Sequence, residues 1–147
     1  MRISPFIFAL LLSATGSHSA ELDTVSTSAS MDVALYASIT GLDAFTLTTT
    51  DKSGSANAVY SGSDTYHLES NGQVTVLLTS SSLSLSGESI NTTFTLDGKP
   101  ITSYTTESNS VHNATHTVEG SAQLGKISDQ KAGEYFASVT LTVIGID

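Results

Sequence analysis

His112, His116 and Glu119 lie within one short stretch, VHNATHTVEG, and are the residues of this chain with the most obvious metal-binding chemistry. On a helix, two histidines four apart share a face and could hold zinc, with the carboxylate as a third ligand or a base. The stretch is instead rich in Thr, Val, Asn and Gly, types that favour strand and turn. On a strand the two histidines also share a face, but about 13 Å apart at the usual rise. Zinc ligands bind at about 2 Å, so one ion cannot bridge that gap. Exposed strand or loop histidines are the expectation.

Ser, His and Asp are all present, so the components of a hydrolytic triad exist. A strained nucleophile elbow of the G-x-S-x-G kind does not occur, and Gly62-Ser63 and Gly120-Ser121 read as ordinary turn pairs. No Gly-rich phosphate loop or acidic calcium loop is found. With no catalytic constellation, the chain is expected to be neither an enzyme nor a carrier of a metal or cofactor. Asn91-Thr92-Thr93 and Asn113-Ala114-Thr115 match the glycosylation acceptor pattern, which arises easily by chance in so hydroxyl-rich a chain.

Ser and Thr make up 46 of the 147 residues. They alternate with Val, Leu, Ile, Phe and Tyr, which is the pattern of sheets with one solvated face rather than of disorder. The clearest case is Ala132 to Asp147, AGEYFASVTLTVIGID. Tyr135, Ala137, Val139, Leu141 and Val143 fall on one face, with Phe136, Ser138, Thr140, Thr142, Ile144 and Ile146 on the other. Other strands are expected over Phe45–Thr49, over Val59–Leu68 (interrupted by Ser61-Gly62-Ser63-Asp64), and over Gln73–Thr79. Further ones are expected at Leu83–Leu85, Ile90–Leu96 and Val111–Leu124. Asn71-Gly72 reads as a hairpin turn, Asp97-Gly98 turns the chain, and Pro100 delays the next strand or puts it at an edge. No helical period is visible. Seven or eight short strands predict an all-β, immunoglobulin-like sandwich.

Arg2, the apolar run Phe6–Leu12 and the small and polar residues up to Ala20 follow the order of a secretory signal peptide, assigned to residues 1–20. The run is too short to span a bilayer, and the mature chain is not expected to insert in one. Beyond residue 20, four lysines against fourteen acidic residues leave −10. The acids are scattered singly, so nucleic acid and anionic membranes are poor partners. Cysteine is absent, which excludes disulfides; strand packing or subunit association must supply stability.

Val25, Thr27, Ala29, Met31, Val33, Leu35, Ala37 and Ile39 all share one parity. Such an alternation is far longer than one ordinary strand. Residues 21–32 are therefore read as an extension and 33–147 as the sandwich.

Two segments resemble the alternate-type chaperone–usher pilins, the group that includes the colonisation-factor fimbriae of enteric bacteria. Val25–Val33 (VSTSASMDV) is similar to that group's N-terminal donor segment, and Ala132–Asp147 to its terminal strand, which opens on Ala-Gly-x-Tyr. The position that is aromatic in the better-known pilins is Ile146 here. The resemblance implies a sandwich lacking one strand and completed by a donor strand from a neighbouring subunit. Val25, Thr27, Ala29 and Met31 would form the donor face. Tyr135, Ala137, Val139, Leu141, Val143 and Ile146 would belong to the terminal strand that borders the groove and binds the periplasmic chaperone. It further implies a homopolymer of identical subunits, an outer-membrane usher, and a place on the cell surface in adhesion or biofilm formation. Two other readings stand beside it: a monomeric immunoglobulin-like binding module, secreted or at the surface, and a matrix-filament protein of another strand-exchanging family.

Overall fold

Among the described residues, alternating hydroxylated and apolar side chains fold into eight strands in two antiparallel sheets. The structure, a computed structural model, describes residues 24–51, 53 and 55–146. The signal-peptide assignment and the first residues of the extension lie outside the described residues. The chain divides between Asp32 and Val33 into two units. In the first, residues 24–32 carry no strand or helix and each is exposed, Val25 and Met31 at 88% and 86%.

The second unit is the sandwich. Its strands are β1 (Ala37–Thr40), β2 (Val59–Ser70), β3 (Val74–Ser80), β4 (Leu83–Leu85), β5 (Glu88–Leu96), β6 (Ser103–Thr105), β7 (His112–Gln123) and β8 (Val139–Gly145). One sheet runs β1-β2-β7-β5-β4 and the other β6-β3-β8. In immunoglobulin terms β1, β2, β7 and β5 stand as A, B, E and D, and β3 and β8 as C and F. The fold is an all-β, immunoglobulin-like sandwich, with one short 3-10 turn at Ile127–Asp129. No helix among the described residues is long and apolar enough to cross a membrane.

The core forms where inward residues of both sheets meet. Leu68, Val74, Val76 and Val118 are fully buried, with Tyr66, Leu78, Phe94 and Leu96 beside them. Burying a side chain of this size stabilises by roughly 1.5–3 kcal/mol, and in the absence of cysteine this layer takes the place of a covalent staple. Pro100 precedes β6, which is short and lies at the sheet edge, where a missing N–H costs no ladder bond.

Four local expectations are corrected. Ser61-Gly62-Ser63-Asp64 does not interrupt a strand: β2 runs twelve residues through it, paired with β7 from Val59↔Gln123 to Ser70↔His112. For the same reason Gly62-Ser63 and Gly120-Ser121 are not turns but mid-strand pairs, with Gly62 opposite Gly120. Asn71-Gly72 does not close a hairpin, because β2 and β3 belong to different sheets. The Asn71 side chain instead ties down the incoming chain: its Nδ2 donates to the Ala34 carbonyl at 2.9 Å and its Oδ1 accepts from the Tyr36 amide at 2.6 Å. Phe45–Thr49 is not a strand. The chain leaves the sheet after Gly41 (φ 84°) and returns only at the single bridge Thr48↔Ser61.

That detour explains the two glycines. Residues 46 and 47 lie over the inner face of the large sheet, where a methyl group on Gly62 would collide with the Thr46 carbonyl oxygen. At Gly120 it would come within 2.9 Å of both Leu47 and Phe94. Gly62→Ala is expected to destabilise the sandwich by about 1–3 kcal/mol through this overpacking. Thermal unfolding beside Ser63→Ala, which alters an outward side chain of the same strand, checks it; equal midpoints for the two variants would contradict the packing described.

Candidate functional site

The two histidines of the VHNATHTVEG stretch each have partners of their own. His112 and His116 both lie on β7, but His112 Nε2 is 3.2 Å from the Glu107 carbonyl and 3.3 Å from Ser110 Oγ. His116 Nδ1 lies 2.8 Å from Asp97 Oδ2. Its ring stacks on Tyr66 at 5.3 Å and meets Tyr104 at the same distance, while the two phenol oxygens are 3.1 Å apart. Tyr66 comes from the large sheet and Tyr104 from the small one, so this group ties the two layers together. Burial is the main reason both phenol groups titrate above the ordinary tyrosine range. Glu119 sits on β7 beyond this group, and no set of three or more metal-ligating side chains occurs among the described residues.

Asp97 holds the turn that follows β5. Partial burial pushes its carboxyl up, but the hydrogen bonds from His116 and the Thr117 amide (2.8 Å) outweigh that and hold it below the usual aspartate range. A carboxyl depressed on folding stabilises the fold above its unfolded pKa of about 4, and that contribution is lost as pH falls through the folded value. Asp97 has φ 49°, a conformation asparagine also adopts, so Asp97→Asn removes the charge without straining the turn. The variant is expected to lose about 1 kcal/mol at pH 7, allowing for solvent screening of a partly exposed group. The gap to the wild type should close towards pH 3; a gap independent of pH in thermal melts would overturn this account.

The other feature is a groove at one end of the sandwich. Its floor is the inner face of the large sheet at Tyr60, Phe94 and Ala122, and its volume is about 910 Å³. One wall is the detour at Leu42, Phe45 and Leu47; the other is the segment from Ala132 through Val139. Lys131 fixes the start of this second wall: its Nζ is 2.9 Å from Glu88 Oε1, and its amide donates to Glu88 Oε2 at 3.1 Å. Hydrogen bonding between the two draws the Glu88 carboxyl below its ordinary range and lifts the Lys131 ammonium above it.

From that wall the chain enters β8. Phe136 bridges Ser84 of β4, the Ser81 amide donates to the Ser138 carbonyl at 3.0 Å, and Val139 to Gly145 then pair with Ser80 to Val74. All these bonds lie on one side of β8. Its second edge, where an immunoglobulin domain carries strand G, has no partner strand among the described residues. Tyr135, Ala137, Val139, Leu141 and Val143 point inward but are only half-buried, whereas Val74 and Val76 on the neighbouring strand are fully buried. Ile146 is 40% exposed, and its amide donates to the Gln73 carbonyl at 3.1 Å.

Of the residues singled out from sequence, the structure brings together those of the terminal strand and places Ala137 and Val139 on the groove, with Tyr135 beside them. The opposite wall and the floor were missed. Leu42, Phe45 and Leu47 carry an apolar signal, but the shared parity of Phe45 and Leu47 points to a strand rather than to a wall. Tyr60, Phe94 and Ala122 look like any other core position. The fold and this edge define a class, immunoglobulin-like sandwiches whose F-type strand is paired on one side only among the described residues. The chain matches no protein-family model and no curated protein sequence.

Proposed function

We propose that this protein is the structural subunit of an extracellular filament, a pilus or fimbria, whose subunits complete one another by strand exchange. The observation that carries the reading is the unpaired edge of β8 with its half-buried inner face. An exposed edge of alternating apolar residues is a template for a further strand, and proteins that keep one generally use or cover it. An added strand meets two needs at once: its backbone pairs with the free N–H and C=O groups, and its alternate side chains fill the space between the sheets. Residues 22–32 of another copy supply the occupant, with Val25, Thr27, Ala29 and Met31 inward. Support for that choice lies in the alternation of this segment and in its lack of regular structure over residues 24–32. A head-to-tail contact of this kind does not close on itself and so builds a filament. Export through the periplasm, a chaperone covering β8 until assembly, an outer-membrane usher and a role in adhesion or biofilm formation belong to the same reading.

Expressed without partners, the exported chain should be unstable or should polymerise. Appending a copy of Leu22–Asp32 after Asp147 through a flexible linker should yield a stable monomer. A wild-type chain that is monomeric, melts cooperatively and gains nothing from the appended strand would instead mark a self-sufficient immunoglobulin-like module.

Side-chain chemistry gives a second test. Val25→Asp or Met31→Asp would bury an unpaired carboxylate at each subunit contact, at a cost of several kcal/mol. Filaments should be lost on electron micrographs. A monomer with an intact appended strand and the same change in its unused N-terminal segment should melt as before; if it unfolds, the segment belongs to the domain's own core.

A further inference from the structure

The charges of this chain are divided unequally between its two sheets. β2, β5 and β7 of the large sheet carry Asp64, Glu69, Glu88 and Glu119. β3, β6 and β8 contain no Asp, Glu, Lys, Arg or His. The outer face of the small sheet is consequently uncharged, in a chain whose net charge is −9. Its cross-strand pairs are Thr75↔Ile144, Leu77↔Thr142 and Thr79↔Thr140, each joining a hydroxyl to an apolar side chain or to a second hydroxyl. Thr75 Oγ1 lies 2.9 Å from Thr105 Oγ1 of β6, which carries the hydroxyl pattern across the third strand. Leu77 and Ile144 are 36% and 50% exposed on this face.

We infer that this face is a contact between copies of the chain, sheet against sheet. Charge chooses the occupant. A basic partner would be drawn to the acidic sheet, not to a face that offers it no counter-charge. Two copies of this chain repel each other wherever carboxylates are apposed within the screening distance of about 8 Å. On the uncharged face they can approach to the roughly 10 Å spacing of packed sheets without desolvating or apposing a charge. The contact is self-complementary, the same patch on both copies, as in a two-fold dimer.

The inference gains reach from the strand-exchange reading, on which this extension of it rests. A donor strand beside β8 with Val25, Thr27, Ala29 and Met31 inward turns Ser26, Ser28 and Ser30 outward. Over Ser26 to Ser30 the completed sheet then presents four strands of hydroxyl and aliphatic groups, with the donor's outward Asp32 at the end of the added strand. In a filament this face joins subunits of neighbouring filaments side by side.

The test compares the exported wild-type chain with the double variant Thr79→Glu and Ile144→Glu, exposed outward positions four register steps apart and so not apposed, whose melt should stay close to that of the wild type. Wild-type filaments are expected to bundle in electron micrographs, more so as salt screens the acidic sheets. Variant filaments should be as numerous and as long but separate. Bundles that persist in the variant, or wild-type filaments that stay single at every salt concentration, overturn the inference. Sedimentation equilibrium of the chain carrying the appended strand separates this outcome from failure of strand exchange. That chain should dimerise at concentrations where the same chain with both glutamates is monomeric. If the appended strand does not yield a soluble subunit, strand exchange is what fails, and sedimentation of the wild-type chain with and without the two glutamates still decides the face.

Discussion

Backbone groups along a sheet edge need partners, and among the described residues those of β8 have them on one side only. Much of the rest of the sandwich is arranged around that imbalance. β3 takes all of β8's ladder bonds and buries its own inward valines completely, while the inward residues of β8 stay half open. On the large sheet, the chain leaves its partner after β1 and folds residues 42–47 inward over Gly62 and Gly120. The result is an apolar trough bounded by a detour on one side and the approach to β8 on the other. Far from closing this trough, the interior seals the opposite region well, with Leu68, Leu96 and Val118 inaccessible to solvent.

The strands most legible in the sequence are those whose faces differ most in polarity. Ile90–Leu96 and the terminal alternation through Val143 keep strict period two, and the structure places their alternate residues on opposite faces. Legibility failed where local chemistry and tertiary context disagree. Ser61-Gly62-Ser63-Asp64 has turn composition, yet it is strand because the detour needs the space that Gly62 leaves free. Asn71-Gly72 has hairpin composition, yet the chain changes sheets there and spends the Asn71 side chain on residues 34 and 36. Phe45 and Leu47 share a parity, as a strand requires, but their neighbours on β2 are paired with them only at Thr48.

The candidate site divides in the same way. Its β8 side follows from alternation alone. Its floor does not, because Tyr60, Phe94 and Ala122 become a groove only through the detour at 42–47 and the Ala132–Val139 segment on either side of them, a property of the chain path rather than of any one residue. The histidine spacing was correctly read as strand geometry, but the bond between His116 and Asp97 joins residues nineteen apart across a loop and leaves no local signal.

The pairing pattern has a consequence in time. Among the described residues only β4 and β5 form a hairpin between close neighbours in the chain; β2 must find β7, and β3 must find β8 across register pairs such as Val74↔Gly145. Sheets assembled from such distant partners fold slowly, in milliseconds to seconds, because the loops close before any contact repays their entropy. Until β8 arrives, β3 has only the three-residue β6 beside it, and the apolar side chains that will become the core are still open to water. For this chain the interval before the last ladder closes is the one in which encounters with other molecules have the greatest effect on its fate.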